Sequence, residues 1–124
     1  MKRQRAQGTV EFALIGVVFL LFFFVVVDGG RAVYSFQTVA EAARQGAHAA
    51  EMTDSTDAQI RAAINAHTGF LGDLGTGATI TPTPTRNFNH TVSITVTYQF
   101  RMIAPLLSSF GPITFTSTTV VIAE

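Results

Sequence analysis

Polar and apolar positions divide this chain into one unbroken apolar run, two stretches of helical period and a C-terminal region of alternation. From Phe12 to Val27 the sequence FALIGVVFLLFFFVVV holds sixteen residues without a charge, closed by Glu11 on one side and Asp28 on the other. As a helix rising ~1.5 Å per residue it covers about 24 Å, short of a hydrocarbon core of roughly 30 Å. Thr9, Val10 and flanking residues must extend the cover, or the bilayer must thin. The pattern predicts a transmembrane anchor over residues 7–30, after a basic leader at 1–6 and before an exported domain at 31–124.

Beyond the Gly29–Gly30 pair, Ala32, Val33, Phe36, Val39, Ala40, Ala43, Ala47 and Ala50 recur at spacings of three and four. That period marks one apolar helix face, and its alanines imply a close-packed partner. The stretch either continues the anchor as one long helix to about residue 51 or bends at the glycines. Thr53, Asp54, Ser55 and Thr56 are candidate caps for a second short helix that carries Ile60, Ala63, Ile64 and His67. The segment GFLGDLGTG after it reads as a flexible connection.

The remainder alternates. Residues 78–85, ATITPTPT, are β-like, but Pro82 and Pro84 cannot donate to a ladder, which limits them to an edge strand. From Thr91 to Met102, Val92, Ile94, Val96, Tyr98, Phe100 and Met102 fall on one face of a half-buried strand. Pro105 and Gly111-Pro112 bracket a loop carrying Leu106, Leu107 and Phe110, and a Thr-rich strand from Ile113 to Ala123 follows, expected to pair antiparallel with the first. So small a sheet needs the helix faces as cover. The predicted fold class is α+β: a long N-terminal transmembrane helix extending into an amphipathic helix, a second short helix, and a small antiparallel sheet of two to four strands.

Charge adds an orientation. Lys2, Arg3 and Arg5 precede the apolar run and no basic residue follows at once, which predicts a cytoplasmic N-terminus and an exported C-terminal domain. A cleavable secretory signal is the competing reading, yet the apolar run slightly exceeds the usual signal length and Asp-Gly-Gly-Arg is a poor cleavage site. The 124 residues carry no net charge; from Asp28 onward seven acids stand against five dispersed arginines, so nucleic acid is not an expected partner. Without cysteine there is neither a disulfide framework nor a thiolate metal site.

Catalytic and cofactor chemistry find little purchase. His48, His67 and His90 lack the short spacing of metal ligands, and no HExxH occurs. The Gly-rich segment lacks the Lys and Ser or Thr of a phosphate-cradling loop, and Ser108-Ser109 has no Gly-x-Ser-x-Gly elbow. Neither an enzyme nor a bound cofactor or metal is expected. Asn89-His90-Thr91 meets the glycosylation tripeptide, a pattern too common to carry an argument.

Three segments resemble the TadE-like family of pilin-related proteins, associated with tight-adherence (Tad) pilus assembly. They are GTVEFALIG from Gly8 to Gly16, with the VEFAL start at Val10 to Leu14; Asp28-Gly29-Gly30-Arg31 at the anchor's end; and Ala42-Ala43-Arg44-Gln45-Gly46-Ala47. VSITVTYQF, Ala104-Pro105-Leu106-Leu107 and the closing strand are similar to the family's last strands. The resemblance implies a non-catalytic, inner-membrane, pilin-like subunit, a minor pilin or pseudopilin, that takes part in assembly or initiation of a Tad/Flp-type adhesive pilus. Implied partners are membrane lipid, other pilin-like subunits, Tad/Flp assembly proteins and a prepilin peptidase.

In pilin-like proteins that peptidase cuts so that Glu is the fifth mature residue, which points here to Ala6 and Gln7. Ala6 stands where Gly is usual, and a cut after Gly8 would leave Glu11 third. An unprocessed leader is the other reading. Glu11 and Phe12 are then candidate packing residues, Glu11 pairing with the positive N-terminus of a neighbouring subunit or staying an interfacial acid in water. Asp28 and Arg31, three apart, are a candidate pair at the exported membrane interface. The alternatives from other classes are a membrane-tethered extracytoplasmic binding or structural domain unrelated to pili, and a secreted domain released near residue 30.

Overall fold

The structure, a computed structural model, describes residues 2–52, 54–81, 91–105 and 107–122, with residues 2–6 described by their backbone alone. One helix, α1, runs from Lys2 to Ala50 without interruption. At ~1.5 Å per residue its 49 residues extend about 74 Å. Gly29 and Gly30 sit inside it without breaking it, and nothing lies within 4 Å of where their Cβ atoms would be. The open choice between a bent and a continuous helix is thereby settled as continuous.

A short helix α2, Asp57–Ala66, follows. Of the candidate caps, Thr56 takes the position: its hydroxyl accepts the Gln59 N–H, and the Gln59 side chain accepts the Thr56 N–H at 2.8 Å. This reciprocal box satisfies two backbone donors that a helix start leaves over. Ile60 and Ile64 are fully buried on the inner face, whereas His67 lies exposed at the C-cap. The expectation that His67 shares that face is corrected, because the chain leaves the helix at Ala66.

Three strands, β1 (Thr79–Thr81), β2 (Thr91–Phe100) and β3 (Ile113–Ile122), form an antiparallel sheet in that order. The architecture is α+β, with β1 on one edge as the prolines suggested; Pro82 and Pro84 themselves lie outside the described residues. Val92, Ile94, Val96 and Phe100 are buried, and alternate residues face outward. β2 ends at Phe100, two residues before the expected Met102.

The core lies between this sheet face, α2 and the second half of α1. α1 contributes Val39, Ala42, Ala43, Ala47 and Ala50. Val33 and Phe36, expected on the covered face, are more than half exposed, while Ser35 and Gly46 are buried there. The correction has a steric cause: the buried stripe is a line of small residues because α2 and the sheet come too close for large ones. A Cβ at Gly46 would stand 2.6 Å from Cγ1 of Ile64 and 3.5 Å from Cγ2 of Ile94.

The expected flexible connection after α2 is instead stapled. Arg61 Nη1 donates to the carbonyls of Gly75, Thr76 and Ala78. Asn65 Oδ1 accepts the Gly75 N–H at 2.7 Å, and Asp73 Oδ1 accepts from Asn65 Nδ2 at 2.8 Å and from the Thr76 N–H at 2.9 Å. Hydrogen bonds from the Thr76 hydroxyl and amide and from Asn65 hold the Asp73 carboxyl at about 2, well below its ordinary value. Side-chain caps of backbone groups order this loop, whose Leu74 and Ala78 join the core while Asp73 stays exposed.

Candidate membrane anchor and assembly site

α1 has two halves. From Val10 to Val27 its large apolar side chains are exposed: Phe12 at 77%, Phe19 and Phe22 each at 66%. Among the described residues this is one helix long and apolar enough to cross a membrane, and none of its most apolar window is buried within the molecule. It is a candidate membrane anchor, and bulky β-branched and aromatic side chains at nearly every position suit hydrocarbon on all sides.

The sequence-predicted site residues fall at its two ends. Gln7 and Glu11 are exposed and border a shallow concavity with Val10 and Leu14. Phe12 projects beside them. Among the described residues the Glu11 carboxylate meets no hydrogen-bond or ion-pair partner, so any neutralising charge must come from outside them. The backbone of Ala6 is helical, and its side chain lies outside the described residues. Ala6 and Gln7 therefore belong to the same helix as Glu11, about 25 Å from Asp28 measured from Glu11 along the axis.

At the other end Asp28 is buried at 3% exposure. Arg31 Nη1 donates to its Oδ1 at 2.8 Å, an i,i+3 pair on the helix. Its Oδ2 accepts the N–H of Ile103 at 2.8 Å and of Ala104 at 2.7 Å, from the loop that joins β2 to β3. The Arg31 guanidinium carbon stands 5.2 Å from the centroid of the Phe100 ring, and Phe100 packs in turn on Phe115, which meets Phe36. A carboxylate so placed is neutralised by three donors, which a buried charge requires. The arrangement can clamp: it ties the residue that closes the apolar run to the tip of the sheet and orients the domain on the helix. Spacing pointed to the Asp28–Arg31 contact, whereas the loop partners left no trace, because backbone N–H groups have no residue signature.

Residues 6–48 match the family model described as TadE-like protein. The matched segment contains the VEFAL start, the Asp-Gly-Gly-Arg turn of helix that carries the clamp, and Ala42 to Ala47, of which Ala42, Ala43, Gly46 and Ala47 are buried. The likeness is to a TadE-like segment that includes the candidate anchor. The match stops before α2, so the C-terminal strands stand outside it. Comparisons with the curated proteins and with the solved structures found no match. Among the described residues no cluster of metal-ligating side chains occurs.

Proposed function

We propose that the chain is a pilin-like subunit that takes part in assembly or initiation of a Tad/Flp-type adhesive pilus, working by packing rather than by catalysis. The observation that carries this reading is the bare first half of α1: an apolar helix that opens on a carboxylate and that, among the described residues, has neither cover for its apolar face nor a partner for that carboxylate, inside the TadE-like match. In this reading the helix is anchored in the inner membrane, N-terminus in the cytoplasm and α+β domain exported. The anchor then moves from lipid to the anchors of other pilin-like subunits. Apolar contact alone gives such packing no axial register, since sliding one helix along another changes little. A charge at one fixed height supplies it: Glu11 pairs with the positive N-terminus of a neighbour once a prepilin peptidase has cut between Ala6 and Gln7.

Two measurements test this. Mass spectrometry of the membrane-extracted protein should find Gln7 at the N-terminus, and an intact leader in cells without the peptidase. Glu11→Gln should insert into the membrane at the normal level and abolish assembly into filaments. Unaltered assembly of Glu11→Gln would sink the register role.

A further inference from the structure

α1 and β2 run in opposite directions along each other. The Gly46 position faces Ile94, Arg31 faces Phe100, and Asp28 holds Ile103 and Ala104. The fifteen residues from 46 back to 31 cover about 22 Å of helix, and the six from 94 to 100 about 20 Å of strand. The loop between β2 and β3 therefore lies at the same height as Asp28, where the uncharged run ends. The opposite end of the sheet, with Thr91 and Ile122, lies beyond Ala50.

That loop is unusually apolar for an exposed one. Phe110 is 80% exposed, Ile103 57% and Ile113 43%, and Leu107 is only partly covered. Singly such residues need no account, but together at one end of a domain they mark a contact surface. Gly111, at φ +82°, takes the left-handed conformation that lets the chain turn between Phe110 and Ile113.

We propose that the β2–β3 tip is a second membrane contact, in which Ile103, Leu107, Phe110 and Ile113 seat in the headgroup layer beside the anchor. The occupant is lipid because the tip is fixed by Asp28 to the very turn of α1 that leaves the apolar run. The same run is about 6 Å shorter than a typical hydrocarbon core. An apolar tip clamped at its end supplies the missing cover on that side. It also shields the Asp28 carboxylate, which is enclosed between α1 and the loop and carries its own donors to a level where water is scarce. Side chains at such a boundary bury ~5–10 Å into the interface. The domain is then held at one tilt by two contacts rather than swivelling on one helix. The inference rests on α1 crossing a bilayer, and it does not depend on any filament.

The chain has no tryptophan, so a single introduced one is an unambiguous reporter. Full-length Phe110→Trp, Phe19→Trp and Met52→Trp proteins are reconstituted in phosphatidylcholine vesicles, with and without lipids brominated at two depths, near the top of the acyl chains and near their ends. Phe19 reports the anchor, and Met52, 67% exposed beyond the end of α1, reports the far side of the domain. The expected result is loss of most emission to brominated lipid for Phe110→Trp and Phe19→Trp, and none for Met52→Trp. Ile103→Trp should repeat the Phe110→Trp result, which guards against a local disturbance at one site. Quenching of Phe19→Trp alone overturns the proposal while leaving the anchor intact. Shielding of Phe110→Trp that instead grows with protein density also overturns it, in favour of a second copy. An unquenched Phe19→Trp removes the anchor reading and this inference together.

Discussion

Residues 12–27 and residues 28–50 belong to one uninterrupted helix, yet they are built from different side chains and meet different surroundings. The first stretch is crowded with Phe, Val and Leu, nearly all exposed on the molecule; beyond the clamped Asp28, the second buries a stripe of Ala, Gly, Ser and a single Val. Hydrocarbon is as apolar as leucine, so a membrane helix needs bulk and uniformity around its circumference and little detail. A helix laid on a sheet and a second helix needs the reverse, one face small enough for close approach. The backbone is common to both, and the side chains alone assign each half its solvent.

Two glycines put this difference to its severest test. Gly46→Leu must push Ile64 and Ile94 apart and should destabilise the domain by about 3 kcal/mol, seen as a fall of roughly 10 °C or more in the thermal unfolding midpoint in detergent. Gly16→Leu, with nothing within 4 Å of its Cβ position, should leave that midpoint unchanged. Equal effects at the two positions would abolish the contrast between the halves.

The boundary comes next. Asp28→Ala leaves the Ile103 and Ala104 N–H groups and Arg31 without their acceptor and should cost about 2 kcal/mol. Because one oxygen, Oδ2, takes both backbone donors, Asp28→Asn can keep those two bonds and should recover part of the loss. Hydrogen exchange at the Ile103 and Ala104 amides reads this directly: fast in Asp28→Ala, slow in the wild type and in Asp28→Asn. If Asp28→Asn exchanges as fast as Asp28→Ala, the ion pair and not the amide clamp holds the tip.

The smallest effect is expected in the loop after α2. Asp73 is a loop carboxylate whose folded value, about 2, lies below its ordinary 3.8. Its contribution is therefore fully present above about pH 4 and is lost as pH falls through 2. The midpoint difference between wild type and Asp73→Asn should be modest, constant above pH 5, and shrink between pH 4 and 2. A difference that grows on acidification would reverse the assigned sign.

Much of this organisation was legible in the chain because it rests on repeated local signals. Sixteen uncharged residues between Glu11 and Asp28 mark a candidate membrane anchor, and alternation from Val92 to Phe100 places the inner face of β2 residue by residue. Thr56 with Gln59 three residues on is a cap that needs no tertiary partner. The stapled loop after α2 was harder: its Gly content suggested looseness, and the ordering side chains Arg61 and Asn65 stand in the preceding helix.

By itself the sequence determined the α+β class, the apolar run that is the candidate anchor, the TadE-like segments and the Asp28–Arg31 spacing, since each depends on residues within a few turns of one another. Tertiary structure alone decided that α1 continues unbroken through Gly29 and Gly30, that Ser35 and Gly46 rather than Val33 and Phe36 face the core, and that Asp28 grips the β2–β3 loop. Those outcomes turn on how closely elements distant in sequence approach, and on backbone donors that every residue type but proline carries alike.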